Sequence, residues 1–389
     1  MYDVIVVGLG AAGLFATANL DSRHKVLGIE ASKRPGLKLG ITGGGRCNLT
    51  NTDEIKKLVD SYTNPSFVRP ILHAFNNLKT KEYFESRGLP LIEENSKLFP
   101  KSQDAKDVIA FFLSQIEKRG HRLHVEEEVL ELVSEEGFVT VKSAASAYTC
   151  KKVIIACGGA TFPQTGSTGR LLKKCFAISP FEPALSSLFI KEASFVGLQG
   201  VSIKAELKYG KKRFAGDLLF AGGMLSGPVA MDLSNYIQEG EAFTADFLPG
   251  RGKEELKEAL QTYGASYPKR KLQSALLDCT ELPQSLVKLV LSQLALAETG
   301  MAELKSEDLN ALLERLKAGV LHVEAKLPLE KAIVSKGGIK CADIDNRTMC
   351  LKSDPNIIVV GEAIELVGAC GGYNLQFAFS SAHRAVSNL

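Results

Sequence analysis

Val4-Ile5-Val6-Val7-Gly8-Leu9-Gly10-Ala11-Ala12-Gly13-Leu14 opens the chain, and its reading decides the fold. Asp3 to Val7 is a short, continuous apolar run, suited to a parallel strand buried on both faces. It leads into a GxGxxG, then a helical stretch from Leu14 to Leu20, then a second strand, Lys25 to Ile29, ending at Glu30. Each part has a physical task. Gly8 permits the tight turn, Gly10 lets the backbone approach a pyrophosphate, and Gly13 lets the helix pack close to the strand. The helix start offers free N–H groups and a positive dipole end to phosphates. Glu30, 22 residues after Gly8, stands where an acid accepts hydrogen bonds from a ribose. A bare GxGxxG is weak, since a plain βαβ turn also uses glycines. The full order of strand, glycines, helix, strand and acid points to dinucleotide binding.

The fingerprint alone does not choose between NAD and FAD. Val153-Ile154-Ile155-Ala156-Cys157-Gly158-Gly159 is another buried strand ending in glycines, and Asn356 to Val360 is a third, ending in Gly361-Glu362. Gly371-Gly372-Tyr373-Asn374 opens an apolar, helical C-terminus. FAD is long, and several glycine-ended strands converging from distant parts of the chain suit it. Glu362 is a candidate partner for the ribityl or phosphate region, and the helix after Gly371 for the polar edge of the flavin.

These strings resemble the BaiN-like (YhiN-type) family of FAD-dependent oxidoreductases, within the glutathione-reductase-like flavoproteins. The resemblance is carried by Gly43-Gly44-Gly45-Arg46-Cys47-Asn48-Leu49-Thr50-Asn51, by Gly158 to Gly169, by Leu225-Ser226-Gly227-Pro228, and by Cys370 to Gln376. It implies an α/β fold, a Rossmann-like FAD-binding domain interrupted by a β-rich insert that carries a helical sub-domain. The expected boundaries are 1–190 and 328–389 for the FAD domain, 191–253 and 316–327 for the β-rich insert, and 254–315 for the helical part. Cofactor contacts are expected at Gly8, Gly10, Ala11, Ala12, Gly13, Glu30, Ala31 and Lys38. Further along they are expected at Gly44, Gly45, Arg46, Cys47, Asn48 and, through its backbone near the adenine, Val129. Cys157, Gly158, Gly159, Gly361, Glu362, Gly372, Tyr373, Asn374 and Leu375 complete the set.

The chain departs from the family at three places. Cys157 replaces a threonine, Thr42 a serine, and Arg170 with two leucines follows Gly169 where Asp-Gly is usual, which reads as a shortened loop. Elsewhere, 52–120 reads as loops and helices, with one amphipathic helix from Asp104 to Lys118, and His121 to Lys142 as strands and turns. Short strands are expected at Val201 to Leu207, Lys212 to Phe214 and Ala242 to Phe247. Between Lys253 and Lys317 the period is helical, with Pro283 starting one helix and Ser306 capping another.

Two residues are candidates for catalysis. Tyr373 beside the flavin is a possible proton donor, the alternative being packing against the ring. Cys47, next to Arg46, is a candidate for a thiol of lowered pKa. The position five after Cys47 is Thr52, so the CxxxxC pair of disulfide reductases is missing. Arg46 is a candidate to neutralise pyrophosphate or support an anionic reduced flavin. His24, His121 and His124 lie in segments that read as surface, and no Ser-His-Asp set can be assembled.

Composition closes off other classes. Charge is nearly balanced, with 47 Lys+Arg against 44 Asp+Glu, so no nucleic-acid tail or polybasic membrane patch is expected. Met1-Tyr2-Asp3 is no basic signal n-region, and no run of eighteen apolar residues appears, so a cytoplasmic protein without a membrane partner is expected. The eight cysteines form no CxxC, and no metal site is expected. The expected function is flavin-mediated hydride transfer between NAD(P)H and a small-molecule substrate. An activated C=C bond is one option, because some family members are linked to bile-acid ring reduction. No second GxGxxG follows a strand, so no separate NAD(P)H domain is indicated. A non-catalytic flavoprotein and a flavin-dependent nucleic-acid-modifying enzyme are the alternatives. The basic runs Lys208 to Arg213 and Lys269-Arg270-Lys271 bear on the second of these, although nucleic acid is not the expected partner. The oligomeric state stays open.

Overall fold

The computed structural model describes residues 1–389, apart from the side chains of Ala193, Ser194 and Val196. The chain forms two compact units: residues 1–184 with 328–389, and residues 185–327.

The first unit is built on a seven-stranded sheet. The first strand, Tyr2–Val7, lies between Val26–Ile29 and Ala147–Ile155, parallel to both. Val26–Ile29 pairs in parallel with Arg122–His124 on its other side. The nine-residue strand Ala147–Ile155 divides its outer edge between two partners. Its beginning pairs antiparallel with Phe138–Ser143, and its end pairs parallel with Ile357–Val359, in register Ile154 to Ile358. The last sixty residues therefore complete the sheet begun by the first thirty.

Apolar patterning explains the layering. Val4 to Val7 and Val26 to Ile29 are buried without alternation, as strands covered on both faces must be. The first helix, Ala11–Asn19, is buried from Ala12 to Ala18, because it is apolar all round. It packs through Phe15 against Phe379 of the C-terminal helix Tyr373–Val386 and Phe112 of the helix Ala105–Lys118. Each ring removed from water contributes about 1.5–3 kcal/mol. Asp104 caps the Ala105–Lys118 helix by accepting from Lys106 N–H at 2.9 Å.

The second unit holds a closed six-stranded barrel, in the order Leu188–Ile190, Met224–Ser226, Lys212–Ala221, Ser202–Tyr209, Ala242–Asp246 and Gly319–Lys326. Along Ser202–Tyr209, Ile203, Ala205 and Leu207 are buried while Lys204 and the residues between face outward, the two-residue period of a barrel strand. Helices Lys253–Ser266, Leu272–Cys279, Gln284–Gln293 and Ser306–Ala318 follow the fifth of these strands.

Three details differ from the sequence reading. Leu188–Ile190, expected in the FAD domain, is a barrel strand, paired with both Met224–Ser226 and Gly319–Lys326. Ser306 is the first helical residue rather than the cap, which is Lys305 with no side-chain bond. His121 is buried, its Nε2 3.1 Å from the Leu20 carbonyl. No described helix is long and apolar enough to cross a membrane.

Candidate cofactor and active site

The three glycines of the opening loop serve three distinct steric needs. Gly8 has φ +90°, and a Cβ there would stand 2.6 Å from the Ala156 carbonyl oxygen. A Cβ on Gly13 would stand 1.8 Å from the Gly8 carbonyl oxygen, so the helix sits directly on the turn. A Cβ on Gly10 would meet nothing within 4 Å. The helix begins at Ala11 with Gly10 as its N-cap and no side-chain cap. Uncapped N–H groups facing open space are what a pyrophosphate requires.

Glu30 directly follows the second strand and is buried, at 8% exposure. Its Oε2 accepts from Leu9 N–H at 2.7 Å and its Oε1 from Ser32 N–H at 2.9 Å. An ionised carboxylate has about four acceptor positions, so two remain for ribose hydroxyls. The backbone of Glu126 and Glu127 runs alongside, donating to the Ser32 and Glu30 carbonyls at 3.0 Å, and brings Val129 to this end of the sheet. A cavity of about 690 Å³ opens here, lined by Ala31, Ser32, Lys33, Arg34, Glu126, Glu128 and the 163–170 loop, among others. The loop that read as shortened is in fact the start of a helix, Arg170–Cys175, and Arg170 pairs with Glu128 at 3.3 Å.

Lys38 and Glu362 tie the two ends of this unit together. The Lys38 ammonium lies 2.7 Å from Glu362 Oε2 and 2.6 Å from Thr161 Oγ1. Glu362 Oε1 accepts from Ser335 N–H and Oγ–H at 2.9 and 3.1 Å. A Cβ on Gly159 would stand 1.8 Å from Ser335 Oγ and 2.9 Å from Glu362 Oε1, so a side chain there would have to displace both. Thr161 and Ser335 were missed in the sequence; Thr161 sits in a family string, but Ser335 carries no local signal.

The GGGR loop turns tightly, with Gly43, Gly44 and Gly45 all at positive φ and open space above Gly44. Arg46 leaves it to stack on Phe99, 4.3 Å from the ring centroid, and to pair with Glu94, which also accepts from Gln103. Its charge is thus met by a carboxylate in this structure. Cys47 is fully buried at φ +59°, and burial pushes its thiol up to about 12. The expected reactive thiol is therefore a neutral core residue. Cys157 is likewise pushed up to about 12 by burial. The Asn48 amide, oriented to satisfy both its ends, donates to the Thr50 carbonyl at 2.8 Å and accepts from Gly372 N–H at 3.2 Å. It joins the loop to the start of the C-terminal helix.

At that helix start the Tyr373 hydroxyl donates to Asp53, and the Tyr373 carbonyl accepts from Tyr62 Oη–H at 2.6 Å. Asn374 bonds both the N–H and the C=O of Gly368, at 2.9 and 3.0 Å. Its side chain closes the 368–374 loop, leaving backbone as its contribution to any ligand. Leu375 follows in the first turn, half-buried. Asp53 was missed because nothing in its local sequence marks it.

A family model described as the HI0933-like protein Rossmann domain matches residues 2–388. The chain belongs to the HI0933-like family. With it, the chain falls among the flavin-dependent oxidoreductases. Ribosomal RNA dihydrouridine synthase of Escherichia coli (strain K12) is 26% identical over 397 residues, covering 100% of this chain and 98% of that protein. The 3-dehydro-bile acid delta(4,6)-reductase of Clostridium scindens is 27% identical over 406 residues, covering 99% and 98%. A solved 3-ketosteroid-delta4-(5alpha)-dehydrogenase from Rhodococcus jostii RHA1 is similar at 13% identity and TM-score 0.49, covering 100% of this chain and 96% of that one.

The residues of this HI0933-like chain fit FAD. The helix start is uncapped and has room before it, Glu30 keeps free acceptor positions, and open glycine edges continue at Gly44. Gly10, Ala11, Ala12 and Gly13 would hold the pyrophosphate and Glu30 the adenosine ribose.

Proposed function

We propose that this HI0933-like protein is an FAD-dependent reductase of a carbon–carbon double bond conjugated to a carbonyl, with NAD(P)H as electron donor. The observation that carries the reading is one O–H donor, Tyr373, at the first turn of a helix whose glycine entry is bonded to the GGGR loop. Bound FAD supplies the hydride. The chain's own residues do the rest. The first-helix N–H groups and Glu30 fix the dinucleotide. The start of the C-terminal helix favours negative charge developing near it. Tyr373 holds the proton that the substrate α-carbon needs once hydride has reached the β-carbon. The two relatives matched end to end support the chemistry, since one is named for dihydrouridine synthesis and the other for delta(4,6) reduction.

A second substrate reading is uracil within ribosomal RNA, favoured by the full-length match to the Escherichia coli protein. The C5=C6 bond of uracil is also conjugated to a carbonyl, so the chemistry is unchanged. The two basic runs give this reading little help. Lys208 and Arg213 pair with Glu206, Arg270 with Asp278 and Lys271 with Glu298.

The test is anaerobic. NADH or NADPH is added to the FAD-loaded protein, followed by a steroid-type enone or by rRNA lacking dihydrouridine. Rapid bleaching, then return of the oxidised spectrum with one of the two, establishes the reaction and its substrate class. A yellow protein that stays oxidised sinks the nicotinamide donor. A protein that takes up no FAD sinks the reading as a whole.

A further inference from the structure

Hydride addition to the β-carbon of a conjugated carbonyl drives the π pair onto the carbonyl oxygen. Charge that develops there is stabilised by a donor fixed in advance. Tyr373 serves the α-carbon, so the oxygen needs a partner of its own. Beside Tyr373 stands a cation with no role in the steps above.

Lys97 begins the strand Lys97–Pro100, which pairs antiparallel with Thr50–Asn51 in register Asn51 to Lys97. Residues directly opposite in such a pair project from the same face. Both of these reach the entry of the C-terminal helix. Asn51 Nδ2 lies 3.5 Å from the Gly371 carbonyl oxygen. A Cβ on Gly371 would stand 3.7 Å from Lys97 Cε and 3.5 Å from Tyr373 Cε2, so the lysine stem and the tyrosine ring flank one glycine. The acids of this neighbourhood are engaged elsewhere. Glu93 accepts from Thr52 at 3.0 Å, Glu94 pairs with Arg46 and accepts from Gln103, and Asp53 is shared by Tyr373 and Lys57. Among the described residues no carboxylate pairs with the half-buried Lys97. Gly372 leaves the adjoining helix start without a side-chain cap, so ammonium and helix start act on the same point with the same sign.

We infer that Lys97 is a catalytic residue of the double-bond reduction, its ammonium binding the substrate carbonyl oxygen and holding the negative charge that hydride addition places there. This role rests on the reductase reading proposed above. Both substrate classes present such an oxygen, the ketone of an enone and the C4 carbonyl of uracil. The hydride forms the new C–H bond at the β-carbon, and the π pair passes to the oxygen. As Tyr373 delivers its proton to the α-carbon, that pair becomes the second C–H bond and the C=O re-forms. The substrate is reduced, the flavin is oxidised by the same electron pair, and solvent returns the proton to Tyr373. Lys97 keeps its proton throughout and acts by charge and hydrogen bonding alone. Its flexible stem lets the ammonium follow the oxygen through the change.

Lys97→Met keeps the stem and removes the charge, while Lys97→Arg keeps the charge. The FAD-loaded protein is photoreduced, so that no nicotinamide is needed, and mixed in stopped flow with a steroid-type enone or with rRNA lacking dihydrouridine. Reoxidation should slow about a hundredfold in Lys97→Met, the loss expected of an oxyanion donor, and recover in part in Lys97→Arg. A second readout needs no turnover. Phenols of graded acidity, from phenol to 4-nitrophenol, imitate the oxyanion and are titrated into the oxidised protein while the flavin spectrum is followed. The parent should bind the more acidic phenols more tightly, and Lys97→Met should lose that preference. Equal reoxidation rates in Lys97→Met and the parent overturn the role of Lys97 and leave the reductase standing. Phenol affinities in the parent that do not follow acidity overturn it too. A parent that takes up no FAD overturns the flavin reading and this role together. Should Lys97→Met melt well below the parent, Lys97→Gln is carried through the same phenol series.

Discussion

The Tyr373 hydroxyl donates to one carboxylate oxygen of Asp53, while Lys57 occupies the other at 2.8 Å. Asp53 is held in turn by Asn77, which donates to the Asn51 and Asp53 carbonyls at 2.9 and 2.8 Å, and by an Asn51 side chain that accepts from Asp53 N–H at 3.1 Å. This places the Asp53 carboxyl and the exposed Lys57 ammonium in line behind the Tyr373 hydroxyl. A positioned acid contributes about 10²–10⁴-fold to such a step. Tyr373→Phe should therefore slow reoxidation of the reduced protein by its substrate about a hundredfold, with nicotinamide-driven bleaching nearly unchanged. Asp53→Asn should slow the same step by a smaller factor, because the amide still holds the Tyr373 hydroxyl in place. If stopped-flow traces show both half-reactions of Tyr373→Phe at parental rates, the tyrosine is only packing.

Gly10 and Gly13 are alike in the motif and opposite in what they tolerate. Gly10 has φ −77° and ψ −158°, a backbone conformation open to alanine, with vacant space around it. Gly10→Ala should fold with a stability within about 0.5 kcal/mol of the parent, yet bind FAD at least about tenfold more weakly, because the methyl stands where the pyrophosphate approaches. Gly13→Ala puts a methyl 1.8 Å from the Gly8 carbonyl oxygen, and the first helix must move off the strand. It should lose thermal stability and cofactor together. Urea unfolding beside FAD titration distinguishes the two. Tight FAD binding by Gly10→Ala would contradict the placement of the phosphates.

What the sequence made legible follows from where the information lies. The opening strand and its glycines are contiguous and Glu30 closes the next strand of the same βαβ unit, so local sterics and spacing made their placement readable before the fold. The Lys38–Glu362 pair joins positions 324 residues apart, and no local pattern announces it. For Cys47 the sequence left two readings, a thiol activated by the adjacent arginine and a packed or cofactor-contacting residue, and burial favours the second. That arginine turns away to Glu94 and Phe99, and burial then governs the thiol in the opposite direction. The barrel strand Leu188–Ile190 was assigned to the wrong unit, since three apolar residues pair equally well with either sheet until register is known.

Lys38 and Glu362 form an ion pair with both side chains 21% exposed. Breaking a largely buried pair by removing one partner costs about 3–5 kcal/mol when the other charge is orphaned. Glu362 keeps two bonds from Ser335, so Lys38→Met should cost less, about 2 kcal/mol. Lys38→Met with Glu362→Gln should recover part of that loss, because no unpaired charge remains. A double-mutant cycle in urea gives the coupling. Additive effects of the two substitutions would mean that the pair is not a unit.

Alkaline pH should destabilise this chain steeply. Burial pushes the thiols of Cys47, Cys150, Cys157 and Cys341 up to about 12, from an ordinary value of 9.0. An unfolded thiol ionises above 9.0 and a folded one does not. The native state therefore binds more protons between those limits, and stability, intact below 9.0, falls as pH rises toward about 12. Each thiol contributes a loss of about 1.4 kcal/mol per pH unit. Four together remove about 5 kcal/mol by pH 10, comparable to the low end of a domain's whole stability. Burial raises Tyr62 as well, which adds in the same direction at higher pH. Urea midpoints measured from pH 8 to 10.5 should fall accordingly, and Cys47→Ser should reduce the slope by one thiol's share. A flat profile would show that these thiols are less shielded than their burial implies, as would Cys47 alkylating in the folded protein at the rate of a free thiol.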